Sequence, residues 1–150
     1  MVLYRITKCN YAADLSGTGA RLYGGRWNSE GKPMLYLASS RSLAVLEVLV
    51  HLDPLIIPGN YCLAEVEVPD DKITTVNIEH LPNDWRDISG SVVLRQLGDV
   101  FLKKQEHLLM KVPSSIVPSE FNYLLNPLHP DAFDVKLLKR EPFSFDRRLL

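Results

Sequence analysis

Prolines occur at intervals along this chain and limit how long its helices and strands can be. Most of the ten prolines in the 150-residue sequence lie in the runs LDPLIIPGN, VPDD, LPND, VPSSIVP, LNPLHP and REPF. Each run predicts a turn or a break, because proline has no backbone N–H and a fixed φ. None of the runs is a low-complexity linker or a repeat. We therefore expect a single domain over residues 1–150 with a core of its own.

Between these breaks, the apolar pattern predicts more strands than helices. Alternation of apolar and polar residues over 62–68 is typical of a half-buried strand. The predicted strands cover residues 3–6, 34–38, 62–68, 73–76, 108–112, 122–125 and 135–139. Helices are predicted over about 42–51 and 92–104, each preceded by serines that can cap it. Strands and helices do not alternate regularly, so we predict an α+β fold, a mixed β-sheet core with flanking helices.

The net charge and the cysteines limit the classes of function that we expect for this protein. The formal net charge of −1 gives no electrostatic indication of nucleic-acid binding. No apolar run approaches the roughly 20 residues of a membrane span, and the first residues lack the pattern of a signal peptide. Cys9 and Cys62 form no CxxC pair, and the four histidines show no metal-binding spacing. We expect a cytoplasmic protein with two reduced thiols, no metal site and no contact with membrane or nucleic acid.

The glycine-rich stretch GTGARLYGGRWNSEG, residues 17–31, lies in a segment predicted as a long loop over 10–32 that includes a brief ordered turn. It fails the dinucleotide-binding pattern at Leu22, where a glycine is required, and it lacks the lysine of a P-loop. What remains is Arg26 directly after a glycine pair. Its guanidinium suits phosphate, so this loop is either an anion-binding element or a tight turn with a solvated arginine.

The helix SLAVLEVLVHL contains one carboxylate among apolar residues. From Leu43 to Val50, every residue except Glu47 is apolar, and a helix that is apolar all round is normally buried. Glu47 is then either a structural ion pair with a loop arginine or a site carboxylate facing a cleft. Tyr36, on the preceding strand, points away from its two leucine neighbours. It either belongs to the core or lines the same cleft as Glu47.

Two serines, Ser114 and Ser115, stand between the prolines of VPSSIVP. Prolines stiffen such a segment, so it either holds a hydroxyl in place or only connects two strands. No histidine lies near in sequence, so the pattern does not predict a nucleophilic triad.

Three segments together resemble a known family. YRI at 4–6, GARLYGGRWNSEGKPMLYLASSRSLAVLEVLVHL at 19–52 and VPSSIVPSEFNYLLNP at 112–127 resemble the RES domain, which is named for its Arg, Glu and Ser. The resemblance implies a toxin of a bacterial type II toxin–antitoxin pair with an Xre-type DNA-binding antitoxin. It also implies a fold like that of diphtheria-toxin-type ADP-ribosyltransferases. The implied substrate is NAD⁺, cleaved at the nicotinamide–ribose bond by hydrolysis or phosphorolysis, while some relatives transfer ADP-ribose to protein.

The resemblance also assigns site residues. The family's Arg, Tyr and Glu fall on Arg26, Tyr36 and Glu47, and its Ser falls on Ser114, with Ser115 as the neighbouring alternative. Two further positions, Arg5 and Asn122, are implied to face the NAD⁺ cleft or to lie near it.

The chemistry of NAD⁺ suits these residue types. Arginine pairs with a pyrophosphate, a tyrosine ring stacks on the cationic nicotinamide, and a carboxylate stabilises the oxocarbenium charge on the ribose. Nicotinamide leaves without a general acid, so no metal or resident cofactor is expected. The resemblance implies an antitoxin that covers the cleft and a toxin homodimer in the complex.

Overall fold

The computed structural model describes residues 1–56 and 58–150. Within them, seven strands form one sheet: β1 (Val2–Lys8), β2 (Leu35–Ala38), β3 (Tyr61–Glu67), β4 (Ile73–Thr75), β5 (Leu109–Pro113), β6 (Phe121–Leu125) and β7 (Lys136–Phe143). The α-helices are α1 (Thr18–Tyr23), α2 (Arg41–Leu49) and α3 (Val92–Lys104), and short 3₁₀ turns occur beside them.

The strand order across the sheet is β4-β5-β6-β2-β1-β3-β7. The β4–β5 pair is parallel, and the other neighbouring pairs are antiparallel. Strands that are far apart in sequence therefore meet at the centre, where β2 lies between β6 and β1. This mixed sheet with few helices confirms the predicted α+β fold.

The two faces of β2 belong to different parts of the core. Leu35 and Leu37 pack in one cluster with apolar residues of β1, β3, β5 and β6. Tyr36 packs in another cluster, which contains the buried face of α3. The prediction that Tyr36 points away from its leucine neighbours is confirmed, and it follows from the alternation of side chains along a strand.

The helix α2 is shorter and more exposed than predicted. It begins after Ser40, whose Oγ accepts a hydrogen bond from Leu43 N (3.1 Å), and it ends at Leu49. Leu43 and Ala44 are buried, whereas Leu46 within the helix and Val50 just beyond it are exposed. The expectation of burial all round is therefore wrong, because one side of this helix borders open space.

The predicted loop over 10–32 contains the helix α1, between two glycines with positive φ. It begins after Gly17 and ends before Gly24, which leads the chain toward Arg26. The ordered turn expected within the loop is a helix of six residues.

The expectation of two reduced thiols is also wrong, because Cys9 and Cys62 form a disulfide. In the antiparallel pairing of β1 with β3, Thr7 lies opposite Cys62, and Cys9 follows two residues later. The pairing register thus brings together two cysteines that are 53 residues apart in sequence. Among the described residues, no helix has the length and apolar character needed to cross a membrane.

Candidate active site

A cleft of about 810 Å³ opens beside the central strands β1 and β2. It is bordered by the α1 segment, by α2 and by the residues that precede and begin α3. Six of the candidates from the sequence line it: Arg5, Arg26, Tyr36, Glu47, Asn122 and the alternative serine, Ser115. The fold thus brings together residues from three separate stretches of the sequence.

The Glu47 carboxylate is held through one of its two oxygens. Its Oε1 accepts hydrogen bonds from Ser114 Oγ and from Asn122 Nδ2, each at 2.7 Å. In the described part of the chain, Oε2 has no hydrogen-bond or ion-pair partner. Since Glu47 lines the cleft, one oxygen fixes the carboxylate and the other is available to a ligand.

The two candidate serines have different environments. Ser114 is fully buried behind Glu47, and its Oγ accepts from the backbone N–H groups of Ile116 and Val117 at 3.1 Å each. These two donors direct the hydroxyl hydrogen toward Glu47. Ser115 lines the cleft itself, and its carbonyl accepts from Arg86 Nε at 2.8 Å. The geometry therefore makes Ser114 the partner of the carboxylate.

The Tyr36 hydroxyl is fully engaged. It donates to Asn28 Oδ1 at 2.6 Å and accepts from Trp27 N at 3.1 Å. Burial raises the pKa of this phenol, and the hydrogen bond from the Trp27 N–H lowers it by a smaller amount. The side chain is therefore neutral, and it presents its ring rather than a proton to the cleft.

Asn28, which the sequence analysis did not select, organises the arginine loop, defined here as residues 24–32. Its side chain is fully buried, and Nδ2 donates to the carbonyls of Ala20 and Lys32 at 2.9 Å each. Together with the Tyr36 bond, these contacts fix the loop against α1 and β2. In the sequence, the one indication of this role is that Asn28 lies within a glycine-rich turn, where asparagine side chains often bond to nearby backbone.

Arg26 is held by backbone carbonyls and not by a carboxylate. Its Nη1 donates to Trp85 O at 3.0 Å and to Asp87 O at 2.9 Å. A guanidinium has five N–H donors, so Nε and Nη2 remain for a ligand. Among residues 1–56 and 58–150, no ion pair joins Glu47 to an arginine, so the structural ion-pair alternative is wrong.

Arg5 contacts the backbone on the other side of the α1 segment. Its Nη1 donates to Asp14 O at 2.8 Å. Burial lowers the pKa of the Arg5 guanidinium, and the nearby Asp14 carboxylate acts in the opposite direction. A partly desolvated cation beside a cleft is well suited to bind an anion, since the local dielectric constant is reduced.

The described residues contain no group of three or more His, Cys, Asp or Glu side chains arranged to hold a metal ion. The expectation of chemistry without a metal remains a prediction.

The fold and the site define an α+β protein whose central strands carry a ligand cleft with an oriented carboxylate and cationic side chains. The chain belongs to the RES-domain family, whose model matches residues 2–146. This match confirms the identification made from the sequence segments.

Relatives align over nearly the whole chain. "Toxin Res" of Photorhabdus laumondii is 40% identical over 152 residues, which cover 100% of this chain and 97% of that protein. "Toxin Res" of Pseudomonas putida is 42% identical over 151 residues, which cover 99% of each. The "Prs ADP-ribosylating toxin" of a Sphingobium species is 42% identical over 142 residues, 93% of this chain and 88% of that protein. The chain is thus a RES-domain toxin.

A solved structure shares the fold. A chain of the Mycobacterium tuberculosis MbcT–MbcA toxin–antitoxin complex superposes with a TM-score of 0.78 at 20% identity. The match covers 95% of the present chain and 84% of that chain. This likeness supports the α+β architecture, while the assignments of individual site residues remain predictions.

Proposed function

We propose that this toxin is an enzyme that depletes cellular NAD⁺ by cleaving its nicotinamide–ribose bond, which arrests growth. The observation that carries the proposal is the Glu47 carboxylate, fixed through Oε1 and facing the cleft with Oε2 uncommitted. Tyr36 and the cationic groups of Arg5 and Arg26 line the same cleft. These are the groups needed to bind a dinucleotide and to stabilise positive charge on its ribose.

In the proposed reaction, the bond between C1′ of the ribose and the nicotinamide nitrogen breaks. Its electron pair goes to the ring, so the cationic pyridinium leaves as neutral nicotinamide. The ribose acquires oxocarbenium character, which the negative charge of Glu47 stabilises from a fixed position. Water or phosphate then forms a new bond at C1′, giving ADP-ribose or its 1-phosphate, and the attacking water loses a proton to solvent.

The other cleft residues position the substrate. The Tyr36 ring offers an aromatic face to the cationic nicotinamide, and its hydroxyl stays occupied by Asn28 and Trp27. Arg26, with Nε and Nη2 free of the backbone contacts made by Nη1, pairs with the diphosphate. Arg5 contributes further positive charge.

The first test follows nicotinamide release from NAD⁺ by the purified protein, with and without inorganic phosphate. Removal of the Glu47 charge takes away the stabilisation of the oxocarbenium ion, so Glu47→Gln is expected to lower kcat by at least about 100-fold. Glu67→Gln, which removes the same charge from an exposed position on β3, serves as the control and is expected to match wild type. Intact NAD⁺ with wild-type protein under both conditions would exclude the proposal.

A second candidate function is transfer of ADP-ribose to a host protein. It is favoured by the similarity to a relative named as an ADP-ribosylating toxin. The bond that breaks is the same, but a protein side chain attacks C1′ instead of water or phosphate. Labelled NAD⁺ added to a cell extract would then mark a discrete protein, whereas rapid NAD⁺ loss without labelled protein would favour the first candidate.

We further propose that an Xre-type helix-turn-helix antitoxin covers the cleft and that the toxin is a homodimer in that complex. The similarity to a chain of a toxin–antitoxin complex supports a protein partner. Co-purification with the product of the adjacent reading frame should abolish nicotinamide release. Light scattering should give a mass with two toxin chains, and a complex with one toxin chain would contradict the dimer.

A further inference from the structure

A third arginine lines the cleft without an assigned role. Arg95 lies in the first turns of α3, and its side chain is half-buried beside the cleft. In the part of the chain that the structure describes, its guanidinium has no hydrogen-bond or ion-pair partner. A cation that faces a cleft with its donors unused is suited to bind an anion.

Arg95 and Arg26 flank the same tight turn. Asp87 O accepts from Arg26 Nη1 and from Gly90 N, each at 2.9 Å, which closes the turn over residues 87–90. Gly90 has a φ of +76°, and a Cβ at this position would lie 3.4 Å from Arg95 Nη1. The guanidinium of Arg95 therefore lies beside the space that a side chain at position 90 would occupy, at one end of the turn that holds Arg26.

The charge balance of the cleft also points to a dianion. The residues lining it include three arginines, Arg5, Arg26 and Arg95, and one acidic residue, Glu47. These arginines and Glu47 give the cleft two excess positive charges, in a chain whose formal net charge is −1. Two positive charges match the two negative charges of a diphosphate, and arginine binds phosphate oxygens in bidentate fashion.

We propose that Arg95 is a substrate-positioning residue that binds the diphosphate of the dinucleotide together with Arg26. The inference rests on the proposed function, because it names the part of the substrate that this side of the cleft recognises. Arg95 contributes to substrate affinity and takes no part in bond cleavage.

The experiment compares wild type, Arg95→Gln, Arg95→Lys and Arg140→Gln in steady-state NAD⁺ cleavage. Arg140→Gln removes the same charge from the exposed strand β7, outside the cleft, and is the matched control. Loss of a charge-assisted contact is expected to raise KM for NAD⁺ at least about tenfold in Arg95→Gln, with kcat within about twofold. Arg95→Lys should recover part of this loss, and the control should keep the wild-type KM.

Equilibrium binding of ADP-ribose and of adenosine separates this inference from the proposed function. Adenosine has no phosphate, so only ADP-ribose affinity should fall in Arg95→Gln, again by at least about tenfold. A wild type that does not cleave NAD⁺ would exclude the proposed function, and the binding comparison would still test Arg95. Unchanged KM and unchanged ADP-ribose affinity in Arg95→Gln would overturn the inference, as would equal losses of affinity for both ligands.

Discussion

At the scale of single residues, the site depends on how one carboxylate is oriented. Ser114 Oγ takes part in three hydrogen bonds: it donates to Glu47 and accepts from two backbone N–H groups. Asn122 supplies the second donor to the same Glu47 oxygen. The carboxylate cannot rotate without breaking both contacts, so its other oxygen keeps a fixed position in the cleft. Such preorganisation reduces the reorganisation needed as charge develops in the reaction.

The two adjacent serines provide a test of this orientation. Ser114→Ala removes one of the two donors to Glu47 and leaves two backbone N–H groups without their acceptor. We expect a fall in kcat of about 10- to 100-fold and a loss of roughly 1–3 kcal/mol in the free energy of unfolding. Ser115→Ala keeps the carbonyl that binds Arg86, so its kcat should stay within about twofold of wild type. Nicotinamide release and urea unfolding measure the two effects, and a larger kcat loss in Ser115→Ala would reverse the assignment.

At the scale of elements, the helix α3 holds the arginine loop in place. Asp99 accepts from Ser29 N at 3.0 Å and from Ser29 Oγ at 2.6 Å. One residue earlier, Gly98 is buried and lies directly against the carbonyl of Trp27. The missing side chain at Gly98 thus lets the loop approach the helix closely enough for Ser29 to bond to Asp99.

A pair of glycine-to-alanine variants tests this contact. A Cβ at Gly98 would lie 1.5 Å from Trp27 O, so either the loop or the helix must move. Although alanine favours a helix by about 1 kcal/mol, we expect Gly98→Ala to lower the free energy of unfolding by about 2 kcal/mol or more. Gly19, in α1, has nothing within 4 Å of its Cβ position, so Gly19→Ala should be neutral or slightly stabilising. Urea unfolding compares them, and equal stability of the two variants would contradict the close packing.

Local patterns predicted the elements but not their contacts. The strand β2 and the helix α2 follow from apolar runs and a serine cap, and both are present with small shifts at their ends. The helix α1 was not predicted, because one glycine lies within it and one flanks each end, and glycine disfavours helices. Asn28 bonds to groups within eight residues of it, and an asparagine in a glycine-rich turn is only a weak signal for such contacts. Arg95 gained importance only because α3 packs beside the cleft, which no local signal in the sequence encodes.

At the scale of the whole molecule, the sheet order assembles the site from distant segments. The strand β2 follows the arginine loop and precedes α2, and it pairs with both β1 and β6. These pairings place Tyr4, the neighbour of Arg5, on one side of Ala38 and Asn122 on the other, two residues along β2 from Tyr36. The site is therefore a property of the central strands, and changes at the outer strands should affect stability more than catalysis.

The Cys9–Cys62 disulfide tests this separation of stability from catalysis. It closes a loop of 53 residues that contains Arg26, Tyr36 and Glu47. In the chain-entropy model, such a loop stabilises the fold by roughly 4 kcal/mol, so reduction should lower the free energy of unfolding by up to that amount.

Catalysis should nevertheless survive reduction. The β1–β3 pairing and the bond from Cys9 N to Asn60 O (2.8 Å) hold the same backbone without the sulfur bridge. The hydrogen bonds of Glu47 and Tyr36 include neither cysteine. Urea unfolding and nicotinamide release, each with and without dithiothreitol, measure the two quantities, with Cys9→Ser as the control that reductant should not change. If dithiothreitol leaves the free energy of unfolding of the wild type unchanged, the disulfide does not stabilise the fold. If it lowers kcat, the geometry of the cleft depends on the disulfide.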